Sequence, residues 1–138
     1  MTTEQAYAFL AAGTRTGKLA TVRADGRPHL APVWFVIDDG DLLFMTGANT
    51  VKGRNLARQP QASLVVDLEV EPYAFVLVEG RVTVSDDVEA MLPISIRIGE
   101  RYMGPDRGVE FGRRNAVPGE LLVRLRPDKI VAIDDMAD

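Results

Sequence analysis

The sequence predicts a mainly β fold: a small antiparallel β-barrel of six to seven strands with flanking helices. Short runs rich in β-branched residues are joined by tight turns and follow one another in meander order. Helical patterns stand at the start of the chain and after the fifth strand. Because closure removes exposed edges, a meander of short strands favours a barrel over an open sheet. At 138 residues, we expect one domain over residues 1–138.

The first element is a short helix. Thr2 and Gln5 have capping-box spacing, and apolar residues follow on one helical face. Gly13 is a suitable stop signal. These features predict a helix over residues 3–12.

The strands come next and again at the end of the chain. Asp-Gly turns at 25–26 and 39–40 separate apolar runs, which is a strong hairpin signal, and Glu71-Pro72 marks a third hairpin. The barrel therefore spans about 17–84 and 120–134. Its strands are predicted at 17–24, 29–38, 42–46, 62–70, 73–84, 120–127 and 129–134.

A helical segment is predicted between the two groups of strands, at about 85–118. Ser85 is a good N-cap and acidic residues follow in the first turn, so the first half of 85–104 is expected to be helical. Pro93 is expected to end, kink or divide this helix. The residues at 105–119, rich in Gly, Pro and Arg, have no clear pattern.

Composition excludes several classes of function. The net charge of −4 argues against general binding of nucleic acid or of an anionic membrane surface. The chain has no cysteine, and His29 is its only histidine, so thiolate chemistry and multi-histidine metal sites are excluded. The start of the chain lacks the pattern of a signal peptide, and we expect a cytoplasmic protein.

One segment departs from this acidic character. Residues 42–66 contain no carboxylate but hold Lys52, Arg54 and Arg58, which are predicted to lie in the first turns of a short helix. Cations are unfavourable at the positive end of a helix dipole unless an anion offsets them, so the pattern favours a phosphate site. The alternative is a solvated helix face. Neither a Walker loop nor a dinucleotide fingerprint is present.

Few residues are suited to catalysis. The serines have no histidine nearby in the sequence, Asp38, Asp39 and Asp41 are typical turn residues, and Arg101, Tyr102 and Arg107 are ambiguous. A protein with a phosphate patch but few acids, bases or nucleophiles is suited to let a cofactor perform the chemistry.

Three segments resemble, in order and spacing, the pyridoxamine 5′-phosphate oxidase-like split-barrel superfamily. They are GKLATVRADGRPHLAPVWFVID (17–38), LLFMTGANTVKGRNLARQPQASLVVD (42–67) and PYAFVLVEGRVTV (72–84), and LLVRLRPDKIVAID (121–134) fits the closing strands. The resemblance implies an FMN-binding split β-barrel that forms a homodimer with two cofactor sites at the subunit interface. It implies a small-molecule substrate, and the acidic composition argues against a nucleic-acid or membrane partner.

The resemblance also implies the cofactor-binding residues. Lys52 matches the cofactor-phosphate lysine, and Tyr73 and Phe75 match positions that reach the cofactor of the partner subunit. The remaining matched positions are Thr46, Gly47, Asn49 and Thr50 in the loop, Arg54 and Asn55 at the helix start, and Pro32, Val33 and Trp34 along the cofactor ring.

One departure from the superfamily pattern bears on the cofactor. FMN-dependent oxidases of this superfamily usually carry Arg-Lys where this chain has Val51-Lys52. The missing arginine favours the branch that uses the deazaflavin coenzyme F420. The resemblance thus implies an F420-dependent oxidoreductase that reduces an unsaturated or conjugated substrate such as a quinone, an enone or a linear tetrapyrrole. An FMN-dependent reductase or oxidase and a non-catalytic cofactor carrier are the alternatives.

Overall fold

A computed structural model describes all residues from 1 to 138. It has seven β-strands and four α-helices, which confirms the predicted mainly β class. In chain order the elements are α1 (Thr3–Ala11), β1 (Gly17–Val22), β2 (Pro28–Val33), β3 (Phe35–Asp38), β4 (Asp41–Gly47), α2 (Val51–Arg58), β5 (Gln61–Asp67), β6 (Phe75–Ser85), α3 (Val88–Met103), α4 (Gly108–Asn115) and β7 (Glu120–Ile133). None of the helices is both long and apolar enough to cross a bilayer.

The seven strands form one antiparallel sheet in the order β2-β1-β5-β6-β7-β4-β3. The predicted strand at 29–38 is instead two strands, because β2 pairs with β1 while β3 pairs with β4. These consecutive strands lie at the two ends of the sheet, and Trp34 is the single residue between them. Because these two edge strands are joined by a single residue, the sheet must curl strongly, and it forms a half-barrel.

The concave side of the half-barrel holds the core. Two helices close it: α1 contributes Ala6 and Leu10, and α2 contributes Leu56. A capping box between Thr2 and Gln5 starts α1, as predicted. The buried strand residues of this core are Leu19, Val33, Phe35, Leu42, Phe44, Ala62, Leu64, Val66, Val76, Val78, Val82, Val123 and Leu125.

The convex side is covered on one half only. Ile98 of α3 packs on Val36 and Leu43 in a second, smaller cluster over β3 and β4. The N-cap of α3 is Asp87, not Ser85, and its carboxylate accepts two backbone N–H groups. Pro93 does not end or divide the helix. Proline removes one backbone hydrogen bond, and the buried face of α3 offsets that loss.

Residues 105–119, which had no clear sequence pattern, contain α4 after a single 3₁₀ turn. α4 packs closely on α3 because Gly112 faces it without a side chain: a Cβ there would lie 2.8 Å from the Cα of Ile96. The buried Ser95 hydroxyl donates to the Gly112 carbonyl at 2.9 Å.

The two predicted closing strands are one continuous strand, β7. A β-bulge opposite Glu79 and Gly80 shifts the register, so that Gly80 pairs with Pro127 and Glu79 pairs with Lys129. The bulge accommodates the proline, which cannot donate to the ladder. β7 therefore joins both halves of the sheet, pairing with β4 over its first part and with β6 over most of its length.

Candidate functional site

The loop that joins β4 to α2 is fixed by its own hydrogen bonds. Thr50 is the N-cap of α2: its hydroxyl accepts from the Gly53 N–H at 3.1 Å and donates to the Gly47 carbonyl at 2.7 Å. The buried Thr46 hydroxyl lies 3.0 Å from that of Thr50. Ala48 donates its N–H to the carbonyl of Gly119 at 2.8 Å, which ties the loop to the start of β7. The loop is thus held in place before any ligand binds.

Gly53 is required for this arrangement. A Cβ at this position would lie 2.2 Å from the carbonyl oxygen of Gly47. Only glycine lets the first turn of α2 come so close to the end of β4.

The N-terminus of α2 presents unused hydrogen-bond donors. The backbone N–H groups of Asn49, Val51 and Lys52 have no acceptor within the chain. The first turn contains no acidic residue, and the Lys52 ammonium makes no ion pair. The helix dipole and these donors together favour an anion such as a phosphate.

The three cations predicted to share the first turns of α2 do not lie together. Arg58 is the last residue of the helix, where a cation is favourable, and its guanidinium donates to the Val22 carbonyl and to the Asn55 side chain. Arg54 points back to the loop and donates to the Asn49 carbonyl at 2.6 Å. Lys52 is therefore the cation of α2 without a hydrogen-bond partner.

Asn55 is placed differently from the other predicted site residues. Its side chain is buried, and its amide nitrogen donates to the Thr21 hydroxyl of β1 at 3.0 Å. Its carbonyl oxygen accepts from Arg58. Both polar atoms are used, so Asn55 anchors α2 to the sheet.

A cavity of about 260 Å³ lies between the convex face of β4, α3, α4 and the first residue of β7. It brings together the predicted residues Pro32, Val33 and Trp34 with residues from distant segments. Its lining residues are Pro32, Val33, Trp34, Met45, Ser95, Ile98, Asn115 and Glu120.

Trp34 is held as a flat wall of this cavity. Its ring stacks on that of Tyr102 of α3, with centroids 5.0 Å apart and planes 7° from parallel. The Tyr102 hydroxyl donates to the Arg15 carbonyl at 2.9 Å, and burial raises the pKa of this phenol. The other side of Trp34 is available, since 39% of the residue is exposed.

Glu120 connects the cavity with the α2 loop. Its side chain lines the cavity, and its Oε2 lies 3.3 Å from the position of a Cβ built on Gly47. The carboxyl group makes no hydrogen bond or ion pair. Burial raises its pKa, while the charge of Lys52 acts in the opposite direction.

Tyr73 and Phe75 lie away from this cavity in the same chain. Phe75 begins β6 and pairs with Ile133 at the far end of β7 from Glu120. Tyr73, just before β6, is 48% exposed and has a positive φ of 59°. The fold thus does not bring these two residues to the Lys52 loop within one chain.

Sequence reasoning missed several cavity residues. Glu120 had no distinguishing signal, since it opens a strand that alternates cleanly. Ser95 has no histidine nearby in the sequence, and Asn115 lies in the segment without a pattern. Met45 and Ile98 had the appearance of core residues. Only the packing of α3 on β4 and of α4 on α3 brings these side chains together.

The sequence profile of the family described as pyridoxamine 5′-phosphate oxidase matches residues 2–134. Among curated proteins, the F420H(2)-dependent biliverdin reductase of Mycobacterium tuberculosis is 26% identical over 137 residues, which cover 98% of this chain and 90% of the reductase. The pyridoxine/pyridoxamine 5′-phosphate oxidase of Burkholderia multivorans is 39% identical over 93 residues. That match covers 61% of this chain but only 42% of the oxidase.

Solved structures agree with these matches. A conserved hypothetical protein of Mycobacterium tuberculosis superposes with a TM-score of 0.85 at 27% identity, covering 97% of this chain and 85% of that one. A structure described as an F420 reductase gives a TM-score of 0.73 at 26% identity. The superposition covers 88% of this chain and 93% of the reductase chain. The fold is the split barrel, and the named relatives are oxidoreductases. The chain belongs to the pyridoxamine 5′-phosphate oxidase family.

Proposed function

We propose that this protein is an F420-dependent reductase that transfers a hydride from the reduced deazaflavin to a conjugated organic acceptor. One observation carries the proposal: an unpaired lysine and three unused backbone N–H groups lie at the N-terminus of α2, beside a cavity with an aromatic wall. The names of two relatives, an F420H(2)-dependent biliverdin reductase and an F420 reductase, support F420 as the cofactor.

The residues of the site fit a phosphorylated, ring-bearing cofactor. Lys52 and the N–H groups of Asn49, Val51 and Lys52 would hold the phosphate, with charge-assisted bonds worth about 1.5–3 kcal/mol each. Trp34, with Pro32 and Val33, would lie along the ring. Reduced F420, when bound, supplies the hydride. The protein would orient ring and acceptor and keep water out.

An FMN-dependent oxidoreductase is the second candidate. The observation that favours it is the higher identity, 39%, to an oxidase over the shared segment. Val51 favours F420, because it stands where FMN oxidases of the superfamily usually carry arginine. The names of the two F420-linked relatives, both reductases, favour an enzyme over a carrier.

We also propose that the working unit is a homodimer. The cavity of about 260 Å³ is smaller than the roughly 300–1,000 Å³ of ligand pockets, which suits a site completed by a second subunit. Tyr73 and Phe75 are distant from Lys52 in their own chain and could reach the cofactor of the partner. The convex face of β1, β2, β5 and β6 carries apolar side chains with no helix over them, and Leu30 is 67% exposed.

Separate titrations with F420 and FMN test the cofactor. We expect F420 to bind more tightly than FMN, and Lys52→Ala to weaken F420 binding by about 10- to 100-fold. Arg113→Met, which removes an exposed cation of α4 that makes no ion pair, is the matched control. Tight FMN binding without measurable F420 affinity would reverse the assignment.

A turnover assay distinguishes a reductase from a carrier. Quinone, enone and biliverdin acceptors are added to the protein with reduced F420 under anaerobic conditions, and oxidation of the F420 is measured.

Light scattering during size exclusion tests the dimer. Leu30→Glu places a charge on the apolar convex face and should give a monomer with weakened cofactor binding. Val109→Glu, at an exposed position of α4 outside this face, should leave the mass unchanged. A wild-type monomer with full cofactor affinity would contradict the proposal.

A further inference from the structure

Glu120 has the placement of a group that acts on a ligand. It lines the cavity, and its carboxyl group makes no hydrogen bond or ion pair with the chain. Most carboxylates that are partly buried in this protein have a partner: Asp41, for example, is bound by Arg124 at 2.9 Å. An acid that is partly desolvated and has no protein partner is free to bond to a molecule in the cavity.

Glu120 is also the only ionisable residue on the cavity wall. The other lining residues are proline, valine, tryptophan, methionine, serine, isoleucine and asparagine. The hydroxyl of Ser95 is occupied by the Gly112 carbonyl. A reaction in this cavity that consumes a proton therefore has one side chain that can give it.

The reduction proposed above consumes such a proton. A hydride delivered to one carbon of a conjugated acceptor places a negative charge on its terminal oxygen or nitrogen. That atom must gain a proton, either in the same step or afterwards. We propose that Glu120 is the proton donor of this reduction: its O–H bond breaks as the new O–H or N–H bond of the product forms. The carboxylate then regains a proton from solvent. This inference rests on the proposed function.

The charges around Glu120 favour this role when the cofactor is bound. Burial already raises the pKa of Glu120, and Lys52 on α2 is the one charged side chain that acts on it. The walls formed by β4, α3 and α4 present Met45, Ser95, Ile98 and Asn115, which carry no charge. A phosphate bound to Lys52 would neutralise the opposing charge and add a negative one. Both changes raise the pKa of Glu120 further, so more of the acid is protonated near neutral pH.

The test combines a titration of the Glu120 carboxyl group with a measurement of the reaction rate. Carbon NMR of protein with isotopically labelled glutamate follows each carboxyl group, and the signal lost in Glu120→Gln identifies this residue. We expect Glu120 to titrate above the other glutamates, and higher still with F420 bound. With reduced F420 and biliverdin, kcat of the wild type should fall as the pH rises. Glu120→Gln should lower kcat about 100-fold or more and lose this dependence. The Kd of F420 should be no higher than that of the wild type, because the variant removes a negative charge beside the phosphate.

Two variants serve as controls. Glu120→Asp keeps a carboxyl group and should restore part of kcat together with its pH dependence. Glu89→Gln, in the exposed first turn of α3, should behave as the wild type. Turnover of biliverdin by Glu120→Gln with wild-type kcat and pH profile would overturn the role of Glu120 and leave the proposed function intact. A Glu120 signal that titrates with the other glutamates would also overturn it. Absence of F420 binding would overturn both.

Discussion

Trp34 and Tyr102 stack in parallel, although 68 residues of sequence separate a corner of the sheet from the end of a helix. The contact fixes the indole at the point where β2 passes into β3, where Trp34 lines the cavity. Because the Trp34 side chain is already held in place, it loses little conformational entropy when a planar ligand binds against it.

We predict that Tyr102→Leu releases Trp34 and weakens binding of a planar ligand by about 2- to 10-fold, since aromatic pairs contribute about 0.5–1.5 kcal/mol. Trp34 is the only tryptophan, so its fluorescence emission and anisotropy report this change directly. Tyr102→Phe keeps the stack and should retain the emission, while the loss of its hydroxyl bonds lowers stability by about 1 kcal/mol. Identical emission from Tyr102→Leu and the wild type would disprove the role of the stack.

Gly53→Ala is expected to disturb the loop between β4 and α2. Alanine would normally stabilise a helix by about 1 kcal/mol relative to glycine. Here its Cβ would lie 2.2 Å from the Gly47 oxygen, and we expect a net loss of about 1–3 kcal/mol on urea unfolding. F420 affinity should fall as well, because the N–H groups of α2 are displaced. Ala57→Gly, on the exposed face of the same helix, should lower stability without affecting F420 affinity. The prediction is refuted if Ala57→Gly binds F420 more weakly than Gly53→Ala does.

The ion pairs of Arg124 predict a dependence of stability on pH. Arg124 binds Asp38 and Asp41, each at 2.9 Å, and its hydrogen bond to Asp38 is the largest of the effects that lower the pKa of that carboxyl. A carboxyl group whose pKa is lower in the folded protein stabilises the fold fully at a pH above its pKa in the unfolded chain, about 3.9. This stabilisation is lost as the pH falls through the pKa of the folded state. We expect the free energy of unfolding to decline below about pH 4.

Arg124→Met should lower the stability near neutral pH and flatten this decline. Urea unfolding at neutral pH and at about pH 3 measures both effects. Arg81→Met, which breaks no ion pair, should keep the wild-type profile. The interpretation fails if Arg124→Met shows the same acid sensitivity as the wild type.

The local parts of the fold could be predicted from sequence. The capping box of α1, the hairpin turns and the start of α2 all depend on residues close together in the chain. The outcomes that could not be predicted depend on tertiary contacts. Trp34 divides a strand because the sheet curls, Pro93 is tolerated because α3 is packed on both sides, and Pro127 is accommodated by a bulge in the partner register.

The candidate site divides in the same way. Lys52, Thr50 and Gly47 form a compact sequence motif, and all three lie at the junction of β4 and α2. Glu120 and Asn115 reach the cavity through the packing of α4 and β7, for which the sequence contains no local signal. Asn55 belongs to the motif by position but faces the core, because the helix period turns it toward β1.

The loop at the start of α2 is assembled mainly from main-chain groups: the carbonyl of Gly47, the N–H of Ala48 and the cap formed by Thr50. Main-chain groups recognise a phosphate but not the ring system to which it is attached. Under the proposed function, the lining residues Trp34, Met45 and Asn115 can diverge while the loop and its phosphate contacts stay unchanged. A change of acceptor then requires substitutions in the cavity walls alone, whereas a change of cofactor also involves the side chain at position 51.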